Sequence, residues 1–315
     1  MLITEAVPSP TFANHESFHL RYSWLKRAYN NVKEDRLIFT RDDALGKLGV
    51  GKNMVRSIRH WSLATKIITQ SGTKSNSPLK VSRMGDEIFR KGGLDPYMTR
   101  PETLWLLHWQ MHAPPCRMPV WWMILNDFDG TEIKVDDMLN HIKSRVANIP
   151  GWKSPSEKSI KKDIDVFVRT YSTVWDRENI DDYADYTFKV IGLVIQDSKD
   201  RIRFVHGPKE GMTPHIVAYA CLDYIQNAGI RAKSIAVSRL ATDDGSVGRI
   251  FKLDEDDLTA LLQKAVDSTK SMSLQNNNGS YQLAFKSAKE QADEMLAMAY
   301  RRSRLHTPRT REVVA

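Results

Sequence analysis

The sequence predicts a mainly helical α+β protein with small β-hairpins, built as tandem winged-helix modules. Three observations lead there. The order helix, helix, hairpin recurs three times along 315 residues. The hairpins are short β-branched or aromatic runs bounded by polar turns. Residues 41–64 contain two short helical patterns around a Gly-Val-Gly turn, and the second carries a one-sided polar stripe. The recurrence is one of element order alone, and it divides the chain into 1–98, 99–210 and 211–315, each of ordinary domain size.

In the first module the polar stripe is Lys52, Asn53, Arg56, Arg59 and His60. These positions fall at i−4, i−3, i, i+3 and i+4 around Arg56 and share one helical face. Met54, Ile58 and Trp61 point the other way, toward a core. Thr40 and Asp43 read as a capping box for the preceding helix, which adds Ala44, Leu45 and Leu48 to the same core. The strands KIITQ (66–70) and PLKVSR (78–83) flank a polar loop, with Lys74 and Lys80 placed to touch phosphate from the wing. A short helix, GDEIFRKGG, closes the module. Arginine and lysine pair with guanine edges or phosphates, and asparagine reads adenine, so the striped helix suits a nucleic-acid groove.

The second module opens at Thr99, read as a helix cap, with Pro101 in the first turn. Leu104, Trp105, Leu107, Trp109 and Met111 leave that helix little polar face, which predicts burial. After PVWWMILNDF, Asp129-Gly130 breaks the chain before a helix over 134–147. Ser154-Pro155-Ser156-Glu157 starts another helix. It buries Ile160, Ile164, Phe167, Val168 and Tyr171 and shows Lys158, Lys161, Lys162, Asp165 and Arg169 outside. FKVIGLVIQ (188–196) and RIRFVHG (201–207) read as the second hairpin.

In the third module Thr213-Pro214 starts a helix that ends at Gly229, and SIAVSRLA reads as another. DEDDLTALLQKAVDST (254–269) is a helix with acids at its positive end, a packing or partner surface rather than a DNA reader. The Asn277-Asn278-Gly279 turn joins the third pair of strands. A helix over 287–304 leads into an arginine-rich tail, Arg301, Arg302, Arg304, Arg309 and Arg311, read as a nonspecific clamp on backbone phosphate.

With 46 Lys and Arg against 38 Asp and Glu, the formal net charge is +8, which favours an anionic partner. At 41% hydrophobic and 27% charged residues, a globular, soluble chain is expected. Cys116 and Cys221 are too few and too far apart for a disulfide framework or a zinc motif. The chain shows neither a leading charged-then-apolar signal nor a run of 18 apolar residues. No membrane association and a cytoplasmic location are therefore expected.

Several motifs carry both a chemical and a structural reading. Gly46 to Lys52 matches G-x-x-x-x-G-K, but Asn53 stands where a phosphate loop needs Ser or Thr, and helix rather than strand precedes it. A plain interhelical turn is preferred, and no nucleotide is expected. His15-Glu16-Ser17-Phe18-His19 matches H-E-x-x-H, which on a helix holds zinc, yet no third ligand is evident. The patch either ties the N-terminal arm to the first module or supplies His15 and Glu16 for proton transfer in phosphodiester cleavage. His108 and His112, among tryptophans, read as core histidines. Glu132-Ile133-Lys134 resembles the Glu-x-Lys triplet of metal-dependent nucleases, with Asp127 and Asp129 near it. Acid clusters at Asp181, Asp182, Asp185 and at Asp254–Asp257 are magnesium candidates, read instead as solvated faces and helix starts.

The run Phe12, His15-Glu16-Ser17-Phe18, Arg21, Trp24-Leu25-Lys26, then LGVGKNMVRSIRHW, DIDVFVRTY (163–171) and GSVGRIFKLDE (245–255) resembles the SspB-like family of bacterial DNA phosphorothioation defence cassettes. These proteins are encoded beside a sulfurtransferase related to PAPS reductases. GVGKNMV is the specific part of the resemblance, which spreads from residue 12 to 255. It implies a protein that binds double-stranded DNA and nicks one strand, so that sulfur can replace a nonbridging phosphate oxygen. Its partners would be a cysteine desulfurase, an ATP-using sulfurtransferase and an ATPase, and Mg²⁺ or Mn²⁺ would assist cutting. No family catalytic residue maps onto this chain. The alternatives are a noncatalytic winged-helix DNA-binding regulator or specificity subunit, or an assembly protein whose basic helices meet acidic partners. A homodimer on a palindromic site fits equally.

Overall fold

The computed structural model describes residues 1–72, 74, 76–130, 132–173 and 187–302. A single turn, α1 (Ile3–Ala6), precedes the amphipathic helix α2 (Tyr22–Glu34), which buries Trp24, Leu25, Ala28, Tyr29 and Val32. Next come α3 (Ala44–Leu48) and α4 (Lys52–Ala64), joined through Gly49. Its φ of +61° is a left-handed value that a glycine adopts without cost. The phosphate-loop match is therefore a turn between two helices. Ile58 and Trp61 of α4 are fully buried, with Met54 at the core's edge. The strands β1 (Ile68–Gln70) and β2 (Leu79–Val81) pair antiparallel, and α5 (Arg83–Phe89) follows, capped by Ser82.

Two expectations about this segment are corrected. Thr40 does not cap α3: it sits in a 3-10 turn and its hydroxyl donates to the Leu37 carbonyl, while the Asp43 side chain makes no capping bond. Leu45 is 45% exposed, and Ala44, Leu48 and Val55 form a small cluster of their own instead of joining the main core.

The middle segment is built on α6 (Pro101–His112) and α7 (Pro119–Asp127), both nearly wholly buried, α6 with Glu102, His108, Gln110 and His112 among its buried residues. β3 (Ile133–Lys134), α8 (Val135–Ala147) and α9 (Glu157–Tyr171) follow. Thr99 does not cap α6; its amide and hydroxyl turn back to Asp95. The cap of α9 is Ser156, two residues past the predicted start, and its hydroxyl accepts from the Ser159 amide. The helix buries the five apolar residues that its spacing predicts. The second hairpin is not free-standing. β4 (Ser172–Thr173), β5 (Val194–Ser198) and β6 (Arg201–Phe204) join β3 in a four-stranded sheet ordered β3-β6-β5-β4, with β4 parallel to β5. Residues 189–191, predicted as strand, form a 3-10 turn.

The last segment contains α10 (Pro214–Asn227), capped by Thr213 as its sequence predicts, then β7 (Ser234–Ala236) and α11 (Val237–Thr242). SIAVSRLA is thus split: its first three residues pair with a later strand and the helix begins at Val237. α12 (Val247–Phe251), α13 (Glu255–Val266), β8 (Met272–Asn277), β9 (Ser280–Phe285) and α14 (Ala288–Arg302) complete the described residues, with sheet order β7-β9-β8. One apolar cluster runs through all three segments. Trp61 meets Trp121 at 5.3 Å between ring centroids, and Trp105 meets Phe251 at 5.3 Å. Asp181, Asp182, Asp185, Arg304, Arg309 and Arg311 lie outside the described residues.

Candidate nucleic-acid interface

α4 begins directly after a turn, so its first residues, Lys52 and Asn53, are exposed, as is Arg56 one turn on. Arg56 reaches Glu16 at 3.3 Å while more than half of its side chain stays in solvent. Arg59 is half-buried, and a guanidinium N–H donates to the Gln70 side chain at 2.8 Å, tying α4 to the end of β1. Burial lowers the Arg59 pKa, and the Arg117 charge adds to that.

His60 does not belong to the exposed stripe. It is 6% exposed, with its ring 6.0 Å from that of His15 and 5.1 Å from that of Trp61. Burial drives its pKa well below that of a free imidazole, helped by His15, Arg117 and Arg59. The reason is tertiary: residues 13–18 fold across the C-terminal half of the stripe, and the Trp61 indole donates to the Phe18 carbonyl at 3.1 Å.

That covering turn is not helical. Ala13, Glu16 and Ser17 take positive φ values of 54°, 51° and 66°, so His15 and His19 do not share a helical face and the zinc pattern does not form. His15 Nδ1 accepts from the Ser17 amide at 3.0 Å, so Nε2 carries the proton and donates to Asp163 at 2.8 Å. The Ala13 amide donates to both Asp163 oxygens, at 3.1 and 3.0 Å. Asp163 stands on the inner face of α9; burial raises its pKa against the opposing pull of His15 and the Ala13 amide. The patch therefore ties the N-terminal arm to α9 of the middle segment as well as to the first. Both His15 ring nitrogens are engaged, and Glu16 is engaged with Arg56.

On the outer face of α9, Lys158, Lys161 and Arg169 are exposed and Lys162 is half-buried. Arg169 donates to the Ser17 carbonyl at 2.9 Å. The basic faces of α4 and α9 thus flank one turn, held by Arg56 on one side and by Arg169 and Asp163 on the other. Lys74, in the loop after β1, and Lys80, on β2, are exposed, Lys80 beside Val32 and Lys33 of α2. Beneath the turn, Glu16, Arg56, Arg59, His60 and Arg117 line a recess of about 270 Å³. Neither Arg117 nor Asp163 was singled out from the sequence. Arg117 lies outside any periodic segment, and Asp163 occupies the face of α9 that its apolar neighbours mark as core.

The remaining candidates are structural. His108 contacts the Tyr171 hydroxyl at 2.7 Å and the Ile250 carbonyl at 3.0 Å, and His112 reaches the same hydroxyl at 3.3 Å. Glu132 pairs with Arg201, and Asp127 with His141 and Arg145. Asp129 meets Lys252 at 3.3 Å. The buried Lys252 ammonium also donates to the Leu125 and Phe128 carbonyls at 2.7 and 2.6 Å, and burial lowers its pKa to about 8. Among the described residues no three His, Cys, Asp or Glu converge on one point.

A family model described as "Protein of unknown function (DUF4007)" matches residues 12–300. An SspB crystal structure shares 32% identity, covers 97% of this chain and 92% of that one, and superposes with a TM-score of 0.86. A magnesium ion-bound SspB crystal structure shares 30% identity, with 96% and 91% coverage and a TM-score of 0.84. No curated protein gives a significant match.

Proposed function

The chain belongs to the DUF4007 family and is an SspB-like protein, and on that premise we propose that it is the DNA-binding component of a DNA phosphorothioation system. In this reading α2, α3, α4 and the β1–β2 hairpin act as a winged helix. Lys52, Asn53 and Arg56 enter a groove, and Lys74 and Lys80 touch the backbone from the wing. The observation that carries it is the placement of the α4 and α9 basic faces on either side of the turn 13–18. A duplex laid across that turn meets Lys158, Lys161, Lys162 and Arg169 at one flank and α4 at the other. The net charge of +8 favours the encounter. The pair His15–Asp163 positions the turn and touches no DNA.

Strand nicking is the finer reading, and it rests on the family resemblance. Among the described residues, four carboxylates near the candidate motifs do not fit a resident magnesium ion. Glu132, Asp127, Asp129 and Asp163 each face a cation or an imidazole donor, and no metal-assisted step is derived from them. The second reading, a noncatalytic specificity subunit, is favoured by the engagement of both His15 nitrogens. The sulfurtransferase, cysteine desulfurase and ATPase of the same cassette would be the protein partners. Among the described residues no helix is long and apolar enough to cross a membrane.

A supercoiled-plasmid assay with purified protein and Mg²⁺ or Mn²⁺ separates these readings. Relaxed circles that vanish with EDTA support nicking. A shifted but uncut plasmid supports the specificity subunit. Absence of any binding at about 50 mM salt, where electrostatic attraction is strong, refutes DNA binding.

A further inference from the structure

Arg117 lies between α6 and α7. It is half-buried, desolvation lowers its pKa, and among the described residues its guanidinium has neither a hydrogen-bond acceptor nor an ion-pair partner. It stands beside Arg59 and faces the same recess as Arg56. A second, independent observation concerns His60, another residue of the lining. His60 is more than nine-tenths buried, and its Nε2 has no hydrogen-bond partner. A buried polar atom without a partner and a cation removed from water without a counter-charge are both costly. Here they line one small recess.

Among the described residues, the only acidic side chain lining the recess is Glu16, which engages Arg56 alone, from a residue with φ of +51°. Three guanidiniums against one carboxylate leave the recess positive, and the uncharged His60 imidazole adds a hydrogen-bonding ring. Planar guanidinium forks match the oxygens of a phosphate or a carboxylate in two parallel hydrogen bonds, and a recess next to basic helix faces favours the phosphate of a nucleic-acid backbone.

We propose that this recess is a phosphate-binding site that takes a single phosphate group of the DNA backbone. Arg59, Arg117 and His60 donate to its oxygens, and Glu16 is the carboxylate that the phosphate displaces from Arg56. The source of the phosphate rests on the DNA-binding reading; the chemistry of the recess does not. Displacement of Glu16 makes the sign of one substitution unusual, because removing that carboxylate's charge strengthens binding.

Two measurements test this. First, the His60 ring ¹⁵N resonances are followed while inorganic phosphate is added at constant ionic strength. A saturable shift, lost in Arg117→Met, is expected; no shift in the parent protein overturns the proposal. Second, duplex affinity is measured for the parent, Arg117→Met, Glu16→Gln and the outer control Lys52→Met. Arg117→Met should lose about tenfold and lower the salt slope by about one, as for one lost phosphate contact. Glu16→Gln should gain several-fold, a direction that misfolding does not produce. Affinity of Arg117→Met within twofold of the parent, while Lys52→Met loses, overturns the backbone phosphate as ligand. If the parent binds no duplex, the DNA-binding reading fails. The phosphate titration then decides the recess alone, for it if His60 shifts and against it if not.

Discussion

Removing the Asp163 carboxylate should release the N-terminal turn from α9, and the size of the effect follows from its partners. Asp163→Ala leaves the His15 Nε2–H and the Ala13 N–H as buried donors without an acceptor. Each orphaned donor costs about 1–3 kcal/mol. Part of that is offset, because the native carboxylate already carries a desolvation cost, seen in its raised pKa. The net loss expected is about 2–4 kcal/mol. His15→Ala should cost a similar amount, since it removes the same bond and the ring stacked 6.2 Å from Trp61. The two substitutions should not add. Hydrogen bonds to charged groups contribute about 1.5–3 kcal/mol, and that is the coupling expected between them. Urea unfolding of the four proteins, followed by tryptophan fluorescence, gives the cycle. Trp61 and Trp121, whose indole donates to the Asp163 carbonyl at 2.9 Å, report from the site itself. Duplex affinity should fall by the same factor in both single variants and no further in the double. A coupling energy under about 0.5 kcal/mol, within ordinary additivity, refutes the latch.

Three further outcomes are expected. Arg56→Ala should cost about 1–3 kcal/mol of duplex affinity by fluorescence anisotropy if Arg56 reads a base; an affinity within twofold of the parent removes Arg56 from the interface. Lys158→Ala with Lys161→Ala should weaken binding alike on unrelated sequences and reduce the salt slope by about two, whereas an unchanged slope removes α9. Lys252 has a folded pKa of about 8 against an ordinary value of 10.5. The unfolded chain therefore binds more protons between those values, and stability rises with pH across that window. On the order of 3 kcal/mol is withheld below pH 8 and recovered by pH 10.5. Denaturant titrations at several pH values should show Lys252→Met lacking that rise; parallel curves for the two proteins contradict the assignment.

Local chemistry made much of the fold legible. The apolar spacing of Ile160, Ile164, Phe167, Val168 and Tyr171 located α9 and its buried face, and the tryptophan-rich run at 101–112 declared its burial. Thr213 and Asp254 cap the helices predicted to follow them. Errors fell where a distant segment competes with local preference. Ser234–Ala236 has helical neighbours, yet it pairs with β9, where Ile235 lies opposite Leu283, forty-eight residues further on. Thr40 and Asp43 have capping spacing, but Thr40 turns back to the Leu37 carbonyl and Asp43 stands at the N-cap of α3 without a side-chain capping bond.

The candidate site divides the same way. That Lys52, Asn53 and Arg56 share a helical face follows from the 3.6-residue period alone, since that geometry needs no other part of the chain. That His60 is excluded from the face, that Asp163 holds His15, and that Arg117 arrives beside Arg59 were decided only when residues 13–18 crossed between α4 and α9. Helical period fixes which side chains are neighbours within a segment. Desolvation and hydrogen bonding between segments more than a hundred residues apart, as with His15 and Asp163, fix which of those side chains still face water.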